Sequence, residues 1–280
     1  MLSLNIRPIH LLLCLLACWP FMLRAEPLRL GIAPYLSTRT LMVESAPLKN
    51  FLTSKLNEQV SVGTAANPGK FAQRMVRGDF DIALLPPHFA RYMQQTYQYQ
   101  VLLGVRSDFY ALLLVPKDDP ARNVADIKGR VLNLPHHLSL VALETERYLR
   151  QLEIDPARDL RQHFHSTDNN AVLALIGQRQ GATATSRAVF ERMPAEIRGQ
   201  LRILGSTTSA LSLVLVANPN MSPQRVAAIK AAVSEFPFSE SGLEYFQARG
   251  VNLVPVSDND LKVYDGVLPL MRKDLREFLQ

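Results

Sequence analysis

Leu28-Arg-Leu-Gly-Ile-Ala-Pro-Tyr-Leu-Ser37 is the stretch from which the fold can be read. A short apolar run, Leu28 to Ala33, breaks at Pro34 into a polar turn, and a helical segment then reaches about Leu56. Strand, turn and helix in that order open an α/β chain. The unit recurs. Val60 to Thr64 is a second strand; Asn67 then offers a capping oxygen, Pro68 fits the first helical turn, and Gly78 stops the helix after Arg77. Asp81 to Leu85 is a third strand, and Pro86, Pro87 and His88 open a helix through Tyr92. Strands follow at Gln100 to Val105 and Tyr110 to Val115.

Pro116-Lys-Asp-Asp-Pro120 is turn-rich, and a new series starts beyond it with Gly129 and the strand Val131 to Leu134, so the chain is expected to cross there into a second lobe. That lobe carries a helix from Ser139 to Leu152, a strand near Leu160 to His165, a helix from Asp168 to Ile176 and a strand around Leu201 to Leu204. Leu211 to Ala217 reads as a long buried strand that returns to the first lobe, with Ser222 and Pro223 starting a helix to Glu235. The tail from Ser239 to Gln280 is mainly helical and is expected to pack on the first lobe. The expected division is a leader over 1–25, a first lobe of 26–115 and 211–280, and a second lobe of 116–210. No internal repeat is evident.

Arg7 and His10 precede the apolar run Leu11 to Leu23, which is short for a bilayer span, and Ala25 precedes Glu26 and Pro27. This reads as a secretory signal cleaved after Ala25. A second reading is a lipobox, Leu15-Leu-Ala-Cys18, with a lipid anchor at Cys18. Cleavage after Ala25 removes both cysteines and the single tryptophan, which excludes disulfides, thiolate metal sites and a cysteine nucleophile. No later stretch approaches the apolar length of a membrane span. Losing Arg7 and Arg24 lowers the formal charge from +6 to +4. The remaining basic residues are scattered, without the dense cluster a nucleic-acid partner needs.

A chain that leaves one α/β lobe, builds another and returns has two hinges across one cleft, a geometry suited to ligand capture by closure. Ligands of open α/β sheets sit beyond the carboxyl ends of the strands, where helix amino termini attract anions. The loops placed there are Pro34 to Thr40, Leu85 to Arg91, Pro135 to Leu140, Ser166 to Ala171 and Thr183 to Arg187.

Leu28-Arg-Leu-Gly-Ile-Ala-Pro-Tyr-Leu-Ser37, Ala46-Pro-Leu48 and Gly78-Asp-Phe-Asp-Ile-Ala-Leu-Leu-Pro-Pro-His-Phe-Ala-Arg91 together resemble the periplasmic phosphate, phosphite and phosphonate binding proteins of ABC transporters. Weaker landmarks continue through Asp126-Ile-Lys-Gly-Arg-Val131 and Asp168-Asn-Asn-Ala-Val-Leu-Ala-Leu175, so the resemblance covers nearly the whole mature chain. It implies the two-lobed type 2 periplasmic binding fold with two crossover hinges, a periplasmic location and capture of a small ligand. That family holds a tetrahedral anion with a Ser/Thr-rich loop after the first strand of the second lobe. Here the loop reads Pro135-His-His-Leu-Ser-Leu140, and only Ser139 keeps a hydroxyl. The family also carries a histidine where this chain has Asp168 and an acidic residue where it has Thr183, and a carboxylate facing an anion repels it.

The candidate ligand-binding residues are Tyr35, Ser37, Thr38, Pro87, His88, His136, His137, Ser139, Asp168, Thr183 and Thr185. Each has a structural alternative. Tyr35 is either an aromatic wall with a hydroxyl or a packing residue. His88 can donate to an anion from the first helical turn, while Arg91 either does the same or pairs with an acidic neighbour. Ser139 can be only a helix cap, and Thr183, Thr185 and Ser186 can merely end a strand and cap a helix. Tyr110 either reaches the cleft or packs in the core. His163 and His165 share one strand face, with His137 and Asp168 nearby, which leaves a metal or metal complex as a minor alternative although no compact metal motif is present. No catalytic residue, resident metal or cofactor is expected. Glu144 and Glu146 read as solvated, and the sequence contains no Gly-Xaa-Ser-Xaa-Gly elbow, P-loop or His-Glu-Xaa-Xaa-His helix, so an enzyme is not expected.

The expected function is an exported, monomeric solute-binding protein that takes a small ligand, a phosphorus oxyanion or related anion, and delivers it to an ABC permease. The alternative is the same fold reporting its closed state to a membrane receptor such as a histidine kinase.

Overall fold

The computed structural model describes residues 26–106, 111–178, 180–207 and 211–279. The first sheet contains β1 (Leu28–Ile32), β2 (Val60–Gly63), β3 (Ile82–Leu85), β4 (Gln100–Arg106), β10 (Leu213–Ala217) and β11 (Asn252–Val254), in the order β11-β4-β10-β3-β1-β2. The second contains β5 (Ala111–Pro116), β6 (Val131–Leu134), β7 (Arg161–Phe164), β8 (Ala182–Ser186) and β9 (Leu201–Ser206), in the order β7-β6-β8-β5-β9. β1 runs parallel to β2 and β3, and β6 runs parallel to β7 and β8. β10 lies antiparallel between β3 and β4, and β5 lies antiparallel between β8 and β9. The two lobes therefore share one five-strand pairing pattern, to which β11 adds a sixth strand in the first sheet, although the sequence shows no repeat. Each sheet takes an internal strand from the chain that has just crossed over.

This pairing corrects the expected first crossing. β5 belongs to the second sheet, so the chain changes lobes between Arg106 and Ala111, ahead of the turn at Pro116. Tyr110 lies outside the described residues.

The helices are α1 (Thr38–Leu56), α2 (Pro68–Val76), α3 (Pro87–Tyr97), α4 (Leu140–Gln151), α5 (Pro156–Asp159), α6 (Asp168–Gln178), α7 (Arg187–Arg192), α8 (Ala195–Arg198), α9 (Pro223–Glu235), α10 (Glu240–Arg249), α11 (Asp258–Lys262) and α12 (Leu268–Leu279). Side-chain caps start many of them: Ser37, Asn67, Ser139, Ser186 and Ser222 each accept a backbone N–H from the first turn. The tail is helical as expected except for β11, which adds an edge strand beside β4.

The internal strands are covered on both faces, which explains why β5 and β10 read as nearly continuous apolar runs. In β5, Leu113 and Val115 point into a cluster with Leu132, Val141 and Leu149, while Leu112 and Leu114 point into one with Val172, Leu175 and Met193. In the first lobe, Leu30, Ile32 and Leu215 pack under α1 and α9, while Leu85 and Val214 face the cluster that holds Phe71, Met271 and Leu275. α12 thus seals the first lobe, and the Phe278 ring covers Gly69 so closely that a Cβ there would overlap it.

Arg91, 3 % exposed, fastens the tail from within α3. Its Nε and Nη2 donate to the two carboxylate oxygens of Asp265 at 2.5 and 3.0 Å, and Nη1 donates to Asp258 at 2.5 Å. Of the two readings of Arg91, the acidic partner accounts for its guanidinium.

Gly181 turns the chain into β8 at φ +97°, and a Cβ there would run into the carbonyl oxygen of Val131. Gly181→Ala should therefore destabilise the folded chain by roughly 2 kcal/mol or more. Urea midpoints of the two proteins check this; equal midpoints would refute it.

Candidate functional site

The lobes meet where the loop after β6 reaches the amino terminus of α3. Pro86 ends β3 and Pro87 sets the first turn of α3, which turns His88 inward, where it is 1 % exposed. His88 Nε2 lies 3.1 Å from the carbonyl oxygen of Leu138, in the opposite lobe. A carbonyl can only accept, so Nε2 carries the proton and Nδ1 presents a lone pair, which has no hydrogen-bond partner among the described residues. Burial pushes the His88 pKa down to about 4, against a smaller upward pull from the Leu138 carbonyl.

The loop's side chains are committed as well. Leu138, 6 % exposed, belongs to the apolar cluster of the first lobe with Phe71, Phe89, Met271 and Leu275. The Leu138 N–H donates to His136 Nδ1 at 3.2 Å, and the His136 and His137 rings stack with centroids 4.3 Å apart. Burial, then the neighbouring His137, holds His136 below the usual imidazole range, with Asp274 opposing. His137 meets Phe164 edge-on, and its Nε2 lies 2.6 Å from Asp274 Oδ2 on α12, a close polar contact without the alignment of a hydrogen bond. Ser139 Oγ accepts from Ala142 N at 3.1 Å and caps α4. Beside this junction is an open cleft of about 550 Å³, lined from the first lobe by Asn67, Gly69, Lys273 and Arg276 and from the second by His136 and His137.

The other candidates lie apart. Ser37 Oγ accepts from Thr40 N at 3.3 Å and caps α1, and Thr38 is the first residue of that helix. Tyr35, 43 % exposed, lines a separate, mostly apolar cavity of about 50 Å³ in the first lobe with Glu44, Leu103 and Phe246.

In the second lobe the segment expected as a loop from Thr183 is strand β8 up to Ser186, and Thr183 and Thr185 are fully buried on one of its faces. Thr183 Oγ1 donates to the carbonyl of Asn133 at 3.1 Å, and Thr185 Oγ1 donates to Asp168 at 3.4 Å. Asp168 also accepts from Ser186 N at 2.9 Å; burial raises its pKa in spite of these bonds. The structure thus joins Asp168 to Thr185, and His88 to the His136–Ser139 loop, but it leaves Tyr35 outside both groups.

Two readings need correction. Glu144 is not solvated: it is 2 % exposed and bonded to Arg147, and burial raises its pKa against the pull of that arginine. The histidines do not converge on a metal, because His137 turns to Asp274, His165 lies 2.9 Å from Asn133 Oδ1 and Asp168 turns to Ser186. Among the described residues no group of three or more His, Cys, Asp or Glu side chains is placed to hold a metal ion. Sequence reasoning missed Leu138 and Asp274. Leu138 reads as an ordinary loop leucine, and nothing local to α12 signals a partner in the other lobe.

The model of the family described as ABC transporter, phosphonate, periplasmic substrate-binding protein matches residues 30–261. The chain belongs to that family. Its members are periplasmic components of ABC transporters that bind small ligands, and among the described residues no helix is long and apolar enough to cross a membrane. The fold is shared with the ATP-bound XAC2383 of Xanthomonas citri, at 15 % identity and TM-score 0.70 over 91 % of this chain and 100 % of that one. It is shared too with PhnD1 from Prochlorococcus marinus in complex with methylphosphonate, at 15 % identity and TM-score 0.70 over 89 % and 98 % of the two chains. The periplasmic aliphatic sulphonate binding protein SsuA of Escherichia coli aligns at 15 % identity and TM-score 0.68 over 91 % and 94 %. No curated protein matches the sequence.

The depressed pKa of His88 makes a pH prediction. The unfolded chain protonates this imidazole near pH 6.5, while the folded chain resists until about pH 4, so the stability it contributes is present above pH 6.5 and is lost as pH falls toward 4. From about pH 7.5 to about pH 5 the loss is on the order of 2 kcal/mol. Urea unfolding of the parent and of His88→Gln at both pH values should show the difference between them shrinking by about that amount; a constant difference would contradict the assignment.

Proposed function

We propose that this chain captures a small anion of the phosphonate or sulfonate type between its lobes and presents the closed form to an ABC permease. The observation that carries this reading is the meeting of the loop after β6 with the amino terminus of α3. It brings together two helix starts, each following the carboxyl end of a strand, from opposite sides of the hinge, where unpaired N–H groups favour negative charge. The adjoining cleft adds Lys273, Arg276, His136 and the start of α2. Its volume of about 550 Å³ fits a small organic anion, and Asp274 and Glu277 in the same lining select against a large negative charge. The methylphosphonate of the Prochlorococcus protein and the aliphatic sulphonate of the Escherichia protein are the ligand classes that support this choice. Hinge closure requires no bond making, and the functional role assigned to His88, His136 and His137 is to meet the ligand, not to transform it.

Thermal unfolding of residues 26–280 against phosphate, phosphite, alkylphosphonates, alkanesulfonates, amino acids and divalent metals tests the reading. A ligand at about 100 times its Kd should add roughly 2.7 kcal/mol, or about 5 to 10 °C in Tm. A shift with a phosphorus or sulfur oxyanion is the expected result. A shift confined to metals or amino acids would replace the ligand class, and a chain that responds to no ligand while driving a membrane kinase would replace the transport role with sensing.

A further inference from the structure

The junction between the lobes is made by the protein with its own groups. His88 spends its buried Nε2–H on an oxygen from the other lobe, the carbonyl of Leu138, at 3.1 Å. The same residue places its side chain in the apolar cluster of the first lobe with Phe71, Phe89, Met271 and Leu275. The neighbouring His137 contacts Asp274 on α12 at 2.6 Å, which adds a polar tie beside the apolar one. A donor at a helix amino terminus with an apolar socket beside it is the arrangement that would hold an oxyanion bearing an alkyl substituent. Leu138 supplies both halves of such a ligand, an accepting oxygen and a branched alkyl group.

We propose that Leu138 is an intramolecular competitor that determines ligand affinity: it occupies the place of an alkyl-bearing oxyanion against α3, so that ligand must displace it, and its insertion holds the lobes together. The inference rests on the ligand-capture reading of the preceding subsection. It gives a physical role to Pro135-His-His-Leu-Ser-Leu140 at the place where the family resemblance implies a hydroxyl-rich loop. Ligands that bind only as well as the leucine are discriminated against, because their apparent affinity is reduced by the fraction of molecules already latched.

Residues 26–280 contain no cysteine, so Q95C and Q151C, at exposed positions on α3 and α4, can carry a nitroxide pair that reports the distance between the lobes. In the labelled protein without added ligand, L138G should shift the distance distribution to longer values, and H137Q should shift it less. L138A replaces L138G should the glycine variant not fold, with far-UV circular dichroism as the check. Isothermal titration with methylphosphonate should show an apparent Kd at least about tenfold lower in L138G than in the parent. A folded L138G or L138A with the parent's distance distribution overturns the latch. A lengthened distance with unchanged or weakened methylphosphonate affinity overturns the competition. If methylphosphonate, phosphate and an alkanesulfonate bind neither parent nor variant, the oxyanion reading fails and the competition fails with it, while the distances without ligand still decide the latch.

Discussion

The first sheet cannot be completed by one continuous segment of chain. β10 reaches the middle of the first sheet only after the chain has traversed the second lobe, and β5 reaches the second sheet only after leaving the first. Both are paired on each edge, so pulling either out would break two ladders of backbone hydrogen bonds. Of the strands that flank the two crossings, β4, β5 and β10 lie inside their sheets, while β9 lies at the edge of the second.

Within that frame the two sides of the cleft differ in how their polar groups are used. In the second lobe Asn133, Thr183, Thr185 and Asp168 satisfy one another or nearby backbone groups, so this end of the sheet is a hydrogen-bonded support. In the first lobe His88 is buried with one nitrogen committed across the cleft and the other without a hydrogen-bond partner among the described residues. Arg91, three residues along the same helix, holds Asp258 and Asp265 and so keeps the carboxyl-terminal elements against α3. α12 is thereby placed where Asp274 can meet His137. The interlobe junction thus depends on a tail far away in sequence.

Much of the architecture was legible locally. The caps Asn67, Ser139 and Ser222 and the first-turn prolines Pro68 and Pro223 mark helix starts by a hydrogen bond each residue makes with its own neighbours, so no tertiary information is needed. The crossing was misplaced because Pro116 to Pro120 carries a strong turn signal, while the apolar run through Val115 fits the interior of either sheet equally well. β11 was missed for a related reason: three residues at a sheet edge carry too little periodicity to stand out from the helical tail. The candidate residues were legible as positions near strand ends and only partly as contacts. Ser37 and Ser139 accept capping hydrogen bonds, Thr183 and Thr185 face the interior of a strand, and Tyr35 lines a cavity of its own.

The sequence by itself determined the α/β alternation and the two lobes, because these depend on residue type and on spacing over a few turns; that 135–140 departs from a hydroxyl-rich loop followed from the resemblance to the binding-protein family. Only the tertiary structure decided which sheet owns β5, that Glu144 is buried, that the histidines diverge, and that Leu138 enters the opposite lobe beneath His88. Those outcomes depend on pairing and packing between segments tens to hundreds of residues apart, whose energies no local pattern encodes.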